Sequence, residues 1–138
     1  MASRGRIIIL DDEVDLISAF AEHLNDRGFD AVTGSAAHAY DELAAIRAPD
    51  LVVLDLAMPG ENGRDLLMRI RASREVPVII MTGSDDLIDR VLCLELGAED
   101  FVRKPIDPRE LTARIQGVLD RRSGKQRETV RFERATVD

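Results

Sequence analysis

Short runs that are apolar at nearly every position alternate along this chain with longer stretches in which apolar residues recur every three or four positions. The first kind predicts strands at Arg6 to Leu10, Phe29 to Thr33, Leu51 to Asp55, Val78 to Met81 and Asp100 to Arg103. Ile7-Ile8-Ile9-Leu10 and Val78-Ile79-Ile80-Met81 are apolar on both faces, as central strands covered by helices on each side require. The second kind predicts five helices. Leu16, Ile17, Phe20 and Leu24 mark the first, which stops at Gly28. Tyr40, Leu43 and Ile46 mark the second, ended by Pro49, and Leu66, Leu67 and Ile70 the third. Leu87, Val91 and Leu94 mark the fourth, ended by Gly97. The fifth follows the cap-and-proline pair Asp107-Pro108 and runs through Leu111, Ile115, Val118 and Leu119.

Strand and helix in strict alternation is the rhythm of βα units, so the fold class is α/β with a parallel sheet and helices on both faces. At 138 residues, 45% hydrophobic and 33% charged, the chain can bury a real core in one domain. Its single cysteine, Cys93, permits no internal disulfide, and the early apolar run is too short for a signal peptide or membrane span, which together point to a reducing cytoplasm. The net charge of −7 argues against the bulk of the chain gripping nucleic acid. The charge is uneven, however. Residues 121 to 138 hold six basic and three acidic side chains, leaving 13 basic against 23 acidic in residues 1 to 120. That shift marks a boundary near residue 122, with one domain over 1–122 and a linker-like Ser-Gly-Lys-Gln stretch after it. Val130 to Val137 reads as a strand without neighbours enough to form a domain.

The chemistry is concentrated where the strands end. Function in an open parallel sheet gathers at the carboxyl ends of its strands, and here those ends carry Asp11-Asp12-Glu13, Asp55, Thr82-Gly83 and Lys104-Pro105. An ionised carboxylate set against a hydrophobic run, as Asp55 is against Leu51 to Leu54, needs a partner or a metal. Crowded carboxylates repel, and a divalent cation relieves them; Mg²⁺ suits oxygen ligands and needs few from the protein. Such a site fits phosphoryl transfer to a carboxylate, with Asp55 attacking, Asp12 and Asp11 on the metal, Thr82 donating to a phosphoryl oxygen and Lys104 meeting another. The acidic triplet could equally cap the first helix; both uses can hold, and Glu13 is the better cap. His23 and His38 lack companions at ligand spacing.

In order, "ILDDE" (9 to 13), "VVLDLAMPGENG" (52 to 63), "IIMTGS" (79 to 84) and "GAEDFVRKP" (97 to 105), followed by a final helix, resemble a response-regulator receiver domain over residues 6 to about 122. The resemblance implies a flavodoxin-like five-stranded sheet in the order 2-1-3-4-5. It implies that Asp55 accepts phosphate from a histidine kinase, and that the Ala57 carbonyl completes an Mg²⁺ site with Asp11, Asp12 and Asp55. It further implies a cis Lys104-Pro105 peptide and a switch pair of Thr82 and Phe101; Phe101 is otherwise an ordinary core aromatic. Family members often have tyrosine there and alanine where this chain has Gly83.

"RVLCLELGAEDFVRKP" and "PRELTARIQGVLDRR" resemble the OmpR/PhoB group of transcription factors, and "VRFERATVD" the opening strand of their winged-helix domain. That group implies a phosphorylation-dependent homodimer through α4-β5-α5, with Arg90 meeting Glu110 and Asp100 meeting Arg114. DNA would be reached only through a downstream domain, with residues 123–138 as linker and start of that domain. Glu110 and Arg114, four apart on one helix, could instead simply pair with each other. The alternative is a stand-alone receiver that relays phosphate or docks on a partner. An enzyme of haloacid-dehalogenase type is disfavoured because the second carboxylate of its D-x-D pattern is Ala57 here, and no membrane role is expected.

Overall fold

Five parallel strands form one sheet in the order β2-β1-β3-β4-β5. The computed structural model describes residues 3–73, 75–83 and 86–137, with side chains through residue 124. In chain order the elements are β1 (Arg6–Leu10), α1 (Val14–Asp26), β2 (Asp30–Gly34), α2 (Ala39–Ile46), β3 (Leu51–Leu54), α3 (Gly63–Ser73), β4 (Val78–Thr82), α4 (Leu87–Glu95), β5 (Asp100–Arg103) and α5 (Pro108–Val137).

The all-apolar runs are explained by the two faces they serve. Ile7, Ile9, Leu51, Val53, Ile79 and Met81 point to the side covered by α1 and α5, where Phe20, Leu24, Leu111, Ile115 and Val118 meet them. Ile8, Leu10, Val52, Leu54, Val78 and Ile80 point to the other side, where Tyr40, Leu66, Leu67, Ile70 and Cys93 of α2, α3 and α4 pack. Strict alternation along each strand sends neighbouring residues to opposite faces, so a strand buried on both faces must be apolar throughout. Gly28 and Gly97 close α1 and α4 with φ of 91° and 106°, a left-handed conformation that glycine adopts without steric cost.

Several expectations change. β2 starts and ends one residue later than the apolar run, and β3 stops at Leu54. On α4, Leu87, Val91 and Leu94 are exposed and Cys93 is the buried residue, so the apolar periodicity that predicts this helix marks its outer face. Ile46 of α2 is also exposed. The stretch from Val130 to Val137, expected as a strand, continues α5 as helix. Arg, Glu, Gln and Lys dominate residues 121 to 134, and these are good helix formers, whereas a lone strand has no ladder to join.

Candidate functional site at the carboxyl end of the sheet

β1 and β3 lie side by side and finish in step, Leu10 opposite Leu54. Asp11 and Asp55 follow directly, and the Asp55 N–H still donates to the Leu10 carbonyl at 2.9 Å. Both carboxylates are buried, Asp11 at 0% and Asp55 at 2% exposure, whereas Asp12 is exposed. One carboxylate oxygen from each of Asp11, Asp12 and Asp55 lies within 4.8 Å of the others. Three hard oxygen donors at that separation fit a small divalent cation that keeps part of its water shell.

β4 and β5 supply the other side. Thr82, the last residue of β4, is buried and donates its hydroxyl to Asp55. The Lys104 N–H donates to the Thr82 carbonyl at 2.8 Å, which holds the lysine one residue past β5, and Lys104-Pro105 is cis. From there the Lys104 ammonium reaches across the sheet end, donating to Asp11 Oδ2 at 2.8 Å, to Glu13 Oε1 at 2.8 Å and to Asp55 Oδ2 at 3.5 Å. Gly83 leaves open space beside this cluster. The sheet therefore gathers five residues separated by up to 93 positions in sequence into one volume.

Burial, and then the charge of Asp11, push the Asp55 carboxyl above its usual range, opposed by the Ala57 N–H, Lys104 and Thr82. Burial also works against the Lys104 ammonium, but Asp11, Glu13 and Asp55 outweigh it and raise the lysine further. The site is a mutually dependent set of charges: the buried carboxylates of Asp11 and Asp55 are tolerable because Lys104 is there.

Glu13 differs from its expected use. It stands at the N-cap of α1, yet its side chain makes no cap hydrogen bond. Asp11 Oδ1 accepts from the Glu13 N–H at 2.9 Å instead, and the Glu13 carboxylate turns to Lys104. Nothing in sequence spacing signals that contact, because it joins two strand ends that only topology brings together. Arg69 of α3 likewise emerges only in three dimensions. Its guanidinium donates to both oxygens of Asp41 on α2, at 2.6 and 3.1 Å, and to both of Glu61, at 2.8 and 3.2 Å. Glu61 belongs to the loop that carries Ala57, so this fork ties that loop to two helices. Ala57 donates its N–H to Asp55 Oδ1 at 3.3 Å.

Phe101 of β5 is half-buried against the α2-α3-α4 side of the core. Its other surroundings are a cavity of about 410 Å³ that Arg90, Glu110 and Arg114 also line. Within the one chain, Arg114 donates to Asp100 at 2.8 Å and to Glu110 at 3.2 Å.

A family model described as the response regulator receiver domain matches residues 7–116. The DNA-binding response regulator MtrA of Mycobacterium tuberculosis is 38% identical over 136 residues, covering 98% of this chain and 59% of that protein. The chain thus spans about 60% of the length of the curated relatives it matches. Among solved structures, the BeF3-activated N-terminal receiver domain of Klebsiella pneumoniae RstA aligns with a TM-score of 0.77 and 30% identity, over 83% of this chain and 97% of that one. NtrX from Brucella abortus aligns with a TM-score of 0.85 and 30% identity, over 94% of this chain and 29% of that one.

Proposed function

This chain belongs to the family of response-regulator receiver domains, the phosphoacceptor switches of two-component systems, and we propose that in it Asp55 accepts a phosphoryl group from a histidine kinase. The observation that carries this reading is the convergence of Asp11, Asp12, Asp55, Thr82 and Lys104 at one end of the sheet. Asp55 is the carboxylate with a hydroxyl donor and an ammonium beside it. A carboxylate oxygen of Asp55 attacks phosphorus in line as the bond to the donor breaks, leaving an acyl phosphate. Lys104 then meets one phosphoryl oxygen with its charge, and the Thr82 hydroxyl turns from the carboxylate to another. Receiver domains bind Mg²⁺ at an acidic pocket, and Asp11, Asp12 and Asp55, with the Ala57 carbonyl, would hold it here. When bound, the cation neutralises phosphoryl charge. Self-phosphorylation from small phosphodonors and self-hydrolysis would use the same set of groups.

MtrA is a DNA-binding response regulator, and it is longer than this chain. We read residues 1–122 as the receiver and 123–138 as the passage to a DNA-binding domain, with regulation of transcription in the cytoplasm as the result. Among the described residues no helix is long and apolar enough to cross a membrane. Phosphorylation would turn the Thr82 hydroxyl from the Asp55 carboxylate to the phosphoryl group and let the Phe101 ring turn, which would favour a twofold dimer through α4, β5 and α5.

Incubation with acetyl phosphate and Mg²⁺ followed by intact mass measurement tests the central claim. The parent should gain one phosphoryl group and Asp55→Asn none. An Asp55→Asn protein that still gains it places the acceptor elsewhere.

A further inference from the structure

An ammonium has three N–H bonds, and in this structure three carboxylates face Lys104. The short contacts, both 2.8 Å, go to Asp11 and Glu13 on the β1-α1 side, and the long one, 3.5 Å, goes to Asp55. The ammonium thus leans away from the residue it must assist. Of its two close partners, Asp11 is also a candidate metal ligand, so a cation there would loosen its hold on Lys104 by like charge. Glu13 has no second use: its carboxylate neither caps α1 nor belongs to the acidic trio.

We propose that Glu13 is a positioning residue that holds the Lys104 ammonium off Asp55 in the resting protein, so that phosphoryl transfer requires Lys104 to pass from Glu13 to a phosphoryl oxygen. This rests on Asp55 as the acceptor. The transfer itself is unchanged: an Asp55 oxygen-phosphorus bond forms, the donor oxygen-phosphorus bond breaks, and the donor leaves with its electron pair. What Glu13 adds is a competing acceptor for one N–H bond that the incoming phosphoryl group needs. Its side chain is 60% exposed, so water screens the contact and its effect on rate is modest, roughly two- to fivefold.

Two variants separate the contact from its charge. Glu13→Gln keeps the shape and removes the charge; Glu13→Asp keeps the charge and shortens the reach. Lys104 and Lys125 are the chain's two lysines, so nitrogen-15 side-chain NMR of the metal-free protein resolves the Lys104 ammonium directly. Both variants should shift or broaden that signal. Both should also take phosphate from acetyl phosphate, at saturating Mg²⁺, roughly two- to fivefold faster than the parent. Mg²⁺ affinity measured by calorimetry should stay within about twofold. An unchanged Lys104 signal in both variants overturns the proposal. So does acceleration by Glu13→Gln alone, which would make Glu13 a repeller of the anionic donor, or a collapse of Mg²⁺ affinity, which would make it a metal ligand. A parent that accepts no phosphoryl group overturns the reading of Asp55 itself, and the role of Glu13 in transfer falls with it.

Discussion

Asp55 is held in a place that is costly for a charge. Burial and the Asp11 carboxylate raise its pKa above the ordinary range. As pH rises from the unfolded-state value to the raised folded value, the native chain holds more protons than the unfolded one, so stability falls across that window. Below it both states are protonated and Asp55 contributes nothing. Asp55→Asn removes the penalty, and its melting temperature without Mg²⁺ should exceed the parent's at about pH 7, with the gap closing as pH drops below about 4. A mutant melting below the parent at neutral pH would mean that Lys104 loses more than Asp55 gains. Mg²⁺ should reverse the order by stabilising the native parent through binding. Asp12 is exposed and joins the acidic trio, so Asp12→Ala should weaken Mg²⁺ binding by about tenfold or more in a calorimetric titration. Equal affinity in mutant and parent would remove Asp12 from the site.

At the scale of the element, β2 is an edge strand, and Asn25 at the end of α1 finishes it. Its side-chain carbonyl accepts from the Ala31 N–H at 2.8 Å, and its amide donates to the Ala31 carbonyl at 3.2 Å. One side chain thereby takes the place of a missing neighbour strand at that residue. Asn25→Ala should cost about 1 to 3 kcal/mol, seen as a lower urea midpoint at unchanged slope; an unchanged midpoint would mean water replaces both bonds. No periodicity reveals such a contact. The strands were legible because burial on both faces leaves an unmistakable apolar run, and the carboxyl-end residues because a parallel sheet puts its strand ends on one side. Legibility failed where surfaces decide. The apolar positions of α4 form a regular stripe, which identifies a helix but does not say whether the stripe faces core or solvent. Glu13 shows the same limit: helix-start chemistry is local and readable, whereas its partner Lys104 is supplied by topology.

For the molecule as a whole, the exposed stripe on α4 becomes informative. Leu87, Val91 and Leu94 are 69%, 45% and 43% exposed, beside a cavity lined by Arg90, Phe101, Glu110 and Arg114. Apolar side chains rimmed by charge describe a surface suited to a partner, and a twofold axis through it would use every contact twice. In one chain Arg114 already satisfies Asp100 and Glu110, so forming Arg90-Glu110 and Asp100-Arg114 pairs across an axis exchanges partners rather than adding them. Exposed ion pairs such as these contribute only about 0.2 to 1 kcal/mol, so the exchange would cost little and the apolar stripe would supply most of the drive. The charges would then set register. Arg90→Glu should weaken dimerisation of the phosphorylated protein, because Glu110 would face a like charge, and adding Glu110→Arg to the same chain should restore it. Sedimentation velocity on the three phosphorylated proteins reads this directly, with the dimer fraction falling in Arg90→Glu and recovering in the double variant. A phosphorylated parent that stays monomeric at high micromolar concentration would leave the stripe to some other partner, and a double variant no better than Arg90→Glu alone would place Arg90 and Glu110 apart in the dimer.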